Sequence, residues 1–129
     1  MANGIILHQQ VNILKLHSID RLCKDLDIRL VPVRPEDYNT PLHILLERAI
    51  CEQNPLAEEK HLSSFSGAAE MLVLCGLSPD LFDRFLREYR AREIAPVELK
   101  AILTPYNSKW TPKKLQTELI KERRAIRNP

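Results

Sequence analysis

The 129 residues hold no apolar run long enough to cross a bilayer, and the only one near the N-terminus, Ile5-Ile6-Leu7, is too short for a secretory leader. A cytoplasmic protein with no membrane partner is therefore expected. Cysteine is scarce: Cys23, Cys51 and Cys75 are odd in number, far apart and without CxxC spacing. That excludes a disulfide framework or a zinc site and fits a reducing compartment. Neither sign of charge dominates, since the formal net charge is +2, and no long-range field for nucleic acid or membrane follows. Aromatic residues make up only 5%, too few for a single-strand stacking platform. No Gly-rich phosphate loop is present, and neither a cofactor nor a metal is implied.

What is there is an alternation of short apolar strands and amphipathic helices. Gly4 to His8 reads as a strand. Val11 to Leu26 places Ile13, Leu16, Ile19, Cys23 and Leu26 at three- and four-residue intervals, the stripe of a helix lying on a sheet. Ile28 to Val33 reads as a second strand whose pairing ends near Pro32. Thr40-Pro41 opens a helix through Arg48, because Thr offers a cap and Pro gives up a donor that has no partner in the first turn. Met71 to Leu77 is apolar on both faces, as a central strand covered by helices requires. Ser78-Pro79 starts a helix with Leu81, Phe82, Phe85, Leu86 and Tyr89 inward. On its outer face Asp80/Arg84, Asp83/Arg87 and Glu88/Arg92 are spaced for i,i+4 pairs. Glu98 to Leu103 forms a fourth strand, and Thr111-Pro112 begins a last helix with Leu115, Leu119 and Ile126 inward. Between Ala49 and Ala69 no period persists: Asn54-Pro55 and Ser63 to Gly67 break the pattern, with a helical turn expected around Ala57 to His61.

This order predicts one small α/β domain over 1–129, its four-stranded parallel or mixed sheet built from two βαβ-like halves, about 4–48 and 70–127, joined by an irregular segment 49–69. Both strand-to-helix turns are then expected at the carboxyl edge of the sheet, where open α/β sheets bind ligands. The ligand-binding candidates are Arg34, Asp37, Tyr38 and Asn39 from one turn, and Thr104, Asn107, Lys109 and Trp110 from the other. A structural alternative stands beside this: Asn107 and Ser108 bond their own turn, while Trp110 and Tyr38 cover the core. Lys113 and Lys114 crowd the start of the last helix, where a bound anion would relieve their conflict with the macrodipole, although Pro112 and Thr111 use up donors there. Lys121, Arg123, Arg124 and Arg127 make a basic end that the helix dipole alone accounts for.

Enzyme readings have the least support, and no catalytic residue is expected. His8, His17, His43 and His61 are scattered, Cys75 before Gly76 reads as a small buried hydrophobe, and the adjacent Glu36 and Asp37 read as facing solvent.

A family resemblance enters at Glu70-Met71-Leu72-Val73-Leu74 followed by Gly76, then at Leu99-Lys100-Ala101, Thr104-Pro105, Asn107, Trp110-Thr111 and Glu118-Leu119. Over about residues 68 to 124 this resembles a small bacterial family, domain of unknown function 3783. Asp37-Tyr38 and Pro41-Leu42 look like a second signature of its longer members, but His43-Ile44-Leu45-Leu46-Glu47-Arg48 stands where Gly-rich sequence is expected. The resemblance implies a soluble bacterial protein and carries no activity. The chain thus reads as a non-catalytic binding or protein-interaction module, with a protein partner or a second copy docking on a sheet edge or helix face. The alternatives are a small-ligand or anion-binding regulatory domain and weak RNA association through the basic C-terminal helix, nucleic acid otherwise not being expected.

Overall fold

The computed structural model describes residues 3–51 and 69–127. Its elements run β1 (Gly4–Gln9), α1 (Ile13–Asp25), β2 (Ile28–Pro32), a 3₁₀ turn (Pro35–Asp37), α2 (Leu42–Cys51), β3 (Met71–Cys75), α3 (Pro79–Ala91), β4 (Leu99–Ile102), a second 3₁₀ turn (Asn107–Lys109) and α4 (Pro112–Arg127). The sequence β-α-β-3₁₀-α therefore occurs twice among the described residues. The expected turn at Ala57 to His61 and most of the irregular segment lie outside them.

Local conformation repeats with the elements. Asn12 caps α1 by accepting from the Leu14 N–H, and Ser78 caps α3 by accepting from the Leu81 N–H. Two residues before each cap the backbone turns left-handed, at Gln10 (φ 54°) and Gly76 (φ 72°); just past the end of each helix it does so again, at Asp27 (φ 56°) and Glu93 (φ 55°). Leu26 and Arg92 end the two helices, and the residue that follows each needs a positive φ to turn the chain back to the sheet.

The strand order is β2-β1-β3-β4. Within each unit the strands are parallel, Gly4 opposite Ile28 and Met71 opposite Leu99, but the units meet through an antiparallel pair in which Leu7 faces Val73. The sheet is thus mixed. The carboxyl ends of β2 and β4 consequently point to opposite rims, which corrects the expectation of one shared carboxyl edge. Strand direction was the missing information: nothing in Ile5-Ile6-Leu7 encodes which way its neighbour runs.

The pleat sorts side chains onto two cores. Ile6, Leu72 and Leu74 pack under α1 and α3 with Ile19, Leu22, Cys23, Phe85 and Tyr89. Leu7, Val73 and Cys75 pack under α2 and α4 with Leu42, Leu45 and Leu115. Burying a side chain of Phe or Leu size contributes about 1.5–3 kcal/mol, so Phe85, fully buried, outweighs the surface pairs of α3. Two of those three pairs form, Asp83–Arg87 at 3.5 Å and Glu88–Arg92 at 3.2 Å; Asp80 and Arg84 form none within 4 Å. Ile13 departs from its expected inward place and is mostly exposed, at the first position of α1 after the Asn12 cap. No described helix is long and apolar enough to cross a membrane.

Candidate functional site

Although the sheet sends β2 and β4 to opposite rims, the turns that follow them meet over the α2/α4 face. The first free donors of the two helices are bonded across the junction: the Leu42 N–H donates to the Trp110 carbonyl at 2.8 Å, and the Lys113 N–H donates to the Tyr38 carbonyl at 3.2 Å. Pro41 and Pro112, each immediately before one of these donors, lack an N–H of their own. The helix starts are thereby capped by the opposite unit. His43 adds a contact in the same place, its Nδ1 3.1 Å from the Ser108 carbonyl.

Each turn is also fixed from within by a side chain four positions into it. In the second turn the Thr104 N–H donates to Asn107 Oδ1 at 2.8 Å, the Asn107 N–H returns a bond to Thr104 Oγ1 at 3.1 Å, and Asn107 Nδ2 reaches the Ile102 carbonyl at 3.1 Å. Ser108 Oγ donates to the Pro105 carbonyl. In the first turn the Arg34 N–H donates to Asp37 Oδ2 at 3.3 Å, while Arg48 Nη1 reaches Asp37 Oδ1 at 2.8 Å. Asp37 is only 5% exposed, which corrects the expectation that it faces solvent. Its charge is tolerated there because Arg48 compensates it and the Arg34 N–H fills a second lone pair.

The candidates therefore divide. Asp37, Thr104 and Asn107 are committed to turn structure. The backbone carbonyl of Tyr38 caps α4. Arg34 and Asp37, with Arg29 and Arg48, line a cavity of about 30 Å³, room for a water or two rather than a metabolite. Arg29 reaches from there to the Ala49 carbonyl at the end of α2. Asn39 is exposed. At the start of α4 the Lys114 N–H donates to Thr111 Oγ1 at 3.1 Å and Lys113 N–H is already bonded, so these two donors are not open to an anion. Larger open depressions, of about 420 and 390 Å³, lie instead along α1 and α3, the first lined by Arg21, Lys24 and Arg92 and the second by Gly76, Ser78 and Arg84.

What remains outward is an aromatic corner. Trp110 is half-buried on the α2/α4 core. Tyr106 stands edge-on to it with ring centroids 5.3 Å apart, and Lys114 Nζ lies 5.0 Å over the Trp110 ring. Tyr106 itself is 78% exposed. Sequence reasoning placed both rings on this turn but took only Trp110 as a binding candidate, although the spacing of four residues between Tyr106 and Trp110 was available as a signal.

Burial withdraws three groups, Cys23, Cys75 and His8, from nucleophilic or acid-base chemistry. Burial, aided by the charge of Asp20, pushes the Cys23 thiol up to about 12; burial alone does the same to Cys75. Burial pushes His8 down to about 4 against the opposing pull of Asp20. A protonated thiol is a poor nucleophile. Two buried amides were not foreseen: Gln9 Nε2 donates to Gln116 Oε1 at 2.8 Å and to the Ala69 carbonyl at 2.9 Å, and the Ala69 N–H also donates to Gln116 Oε1. This network ties the end of β1 to α4 and to the entry into β3.

No curated protein and no solved structure matches this chain. The resemblance in the second half is upheld: residues 70–126, which span β3, α3, β4 and almost all of α4, match the family model described as Domain of unknown function (DUF3783).

Proposed function

We propose that this chain is a non-catalytic protein-interaction module of the bacterial cytoplasm, and that the aromatic corner of the second unit is its contact surface. The observation that carries the reading is Tyr106, a large amphipathic ring left 78% exposed on a turn whose backbone is bonded in place. Tyr and Trp anchors held on a rigid support are the side chains that dominate protein interfaces, because they bring contact area with little entropy left to lose. Burial of Cys23, Cys75 and His8 takes these three groups out of nucleophilic chemistry, and three unpaired cysteines accord with a reducing compartment. The small volume of the Arg34/Asp37 cavity weighs against a metabolite in the first turn.

Selection of displayed random peptides on the immobilised protein, with Tyr106→Ala as the counter-target, tests this. A family of peptides should emerge whose affinity drops at least about tenfold on Tyr106→Ala, the loss expected of an aromatic anchor. Absence of any such family, or peptides indifferent to Tyr106, would refute the module reading.

A further inference from the structure

We infer that the occupant of this corner is an acidic protein segment; the inference rests on the interaction reading above and specifies its partner. Between Glu98 and Glu118 the chain carries four lysines and not one carboxylate. One of them, Lys100, points to the other face of the sheet, over the Tyr89 ring. Of the other three, Lys114 lies over the Trp110 ring, Lys109 directly precedes Trp110 in the chain and Lys113 stands next to Lys114 at the start of α4, and all three are exposed. Several other surface cations do find carboxylates: Lys15 with Glu70, Lys24 with Asp20, Arg48 with Asp37, Arg92 with Asp25 and Arg123 with Glu98. Among the described residues none lies within ion-pair distance of these three lysines. Their positive field around an exposed tyrosine is therefore uncompensated within the described residues.

Complementarity of potential is what an interface uses to choose its partner. A segment of Asp or Glu flanking one apolar residue matches this surface in both respects, the carboxylates meeting the lysine fringe and the apolar side chain meeting Tyr106. Nucleic acid fits less well. A strand of bases stacks on several open ring faces in succession, whereas here the Trp110 ring is taken by the core on one side and Lys114 on another, which leaves Tyr106 as the single open ring of the corner.

The probe is a soluble poly-glutamate chain, titrated into the full protein at low salt while the emission of Trp110, the single tryptophan, is followed. Poly-glutamate should shift that emission. Its affinity should fall as salt is raised and should drop at least about tenfold in the triple variant Lys109→Gln, Lys113→Gln, Lys114→Gln, whose circular dichroism reports that the fold is kept. A neutral Gly-Ser peptide should leave the emission unchanged. Equal affinity of the triple variant, no response to poly-glutamate, or tighter binding of a single-stranded oligouridylate of matched charge would each overturn the acidic-segment inference. If poly-glutamate fails while Tyr106-dependent neutral peptides emerge from the display selection, the partner class is wrong and the module stands. If no Tyr106-dependent peptide of any charge emerges, the module reading itself falls.

Discussion

At the scale of single residues, Asn107 does the most local work: one amide satisfies the Thr104 N–H and the Ile102 carbonyl. Replacing it with Ala removes two bonds of net worth about 0.5–1.5 kcal/mol each, so urea unfolding should show a loss of about 1–3 kcal/mol; an unchanged midpoint would show that the turn does not depend on it. The thiols give a second prediction. With Cys23 and Cys75 buried and protonated and Cys51 exposed, a thiol reagent should label one cysteine per folded chain and three after denaturation. Rapid labelling of all three in the native state would contradict the packing.

The pH response follows from His8 and Glu70. His8 falls from 6.5 to about 4 on folding, so protons bind the unfolded chain first: stability is full above about pH 6.5, declines as pH falls, and levels off below the folded value. A difference of that size corresponds to about 3 kcal/mol. His8→Leu should flatten most of the slope in this window; an identical slope would place its origin elsewhere. For Glu70, burial works to raise the carboxyl, but bonds from Lys15 and from the Asn12 and Glu98 N–H groups outweigh it and hold the group below the usual carboxylate range. Its contribution is thus present above that range and lost under more acidic conditions. Some residue roles were legible and others not. An Asn in a Thr-Pro-Tyr-Asn turn announces side-chain capping, whereas the burial of Asp37 depends on Arg48 arriving from a later helix, and the pairing of Gln9 with Gln116 spans almost the whole chain.

At the scale of elements, capping and left-handed residues set where each helix begins and ends. Gly76 has open space around the position of an added Cβ and a φ of +72°. Gly76→Ala therefore tests backbone strain without a clash, and should cost about 1–2 kcal/mol. Asp27→Gly and Glu93→Gly, at equivalent left-handed positions, should instead be neutral or slightly stabilising; a loss above about 1 kcal/mol for both would mean that their side chains do more than tolerate the turn. Elements of this kind were readable because their signals are local. The apolar stripe of α3, the Ser78 and Thr111 caps and the doubly apolar β3 need no distant partner to be recognised. The edge of β4 was not readable. Leu99 and Leu103 donate inward to β3, so the carbonyls of Glu98 and Ile102 face the open side, where Arg123 and Asn107 take them. That closure blunts the strand against pairing with another chain.

At the scale of the molecule, two units of the same element order meet at an antiparallel strand pair and again at the starts of α2 and α4. The second meeting place builds the corner, since Trp110 is fixed by its bond to the α2 start while α4 leans on Tyr38 from the other unit. Directions of whole strands escaped sequence reasoning because they are decided by pairing between segments distant in the chain, and the same residues fit a parallel or a mixed sheet. Amide hydrogen exchange at Leu42 and Lys113, read by NMR, is the most direct test of this junction. Both amides should be protected to nearly the level of β3, exchanging only when the molecule opens as a whole. Exchange of either at the rate of an unprotected loop would mean that the two units do not cap one another, and that the corner carrying Tyr106 and Trp110 is not built as described.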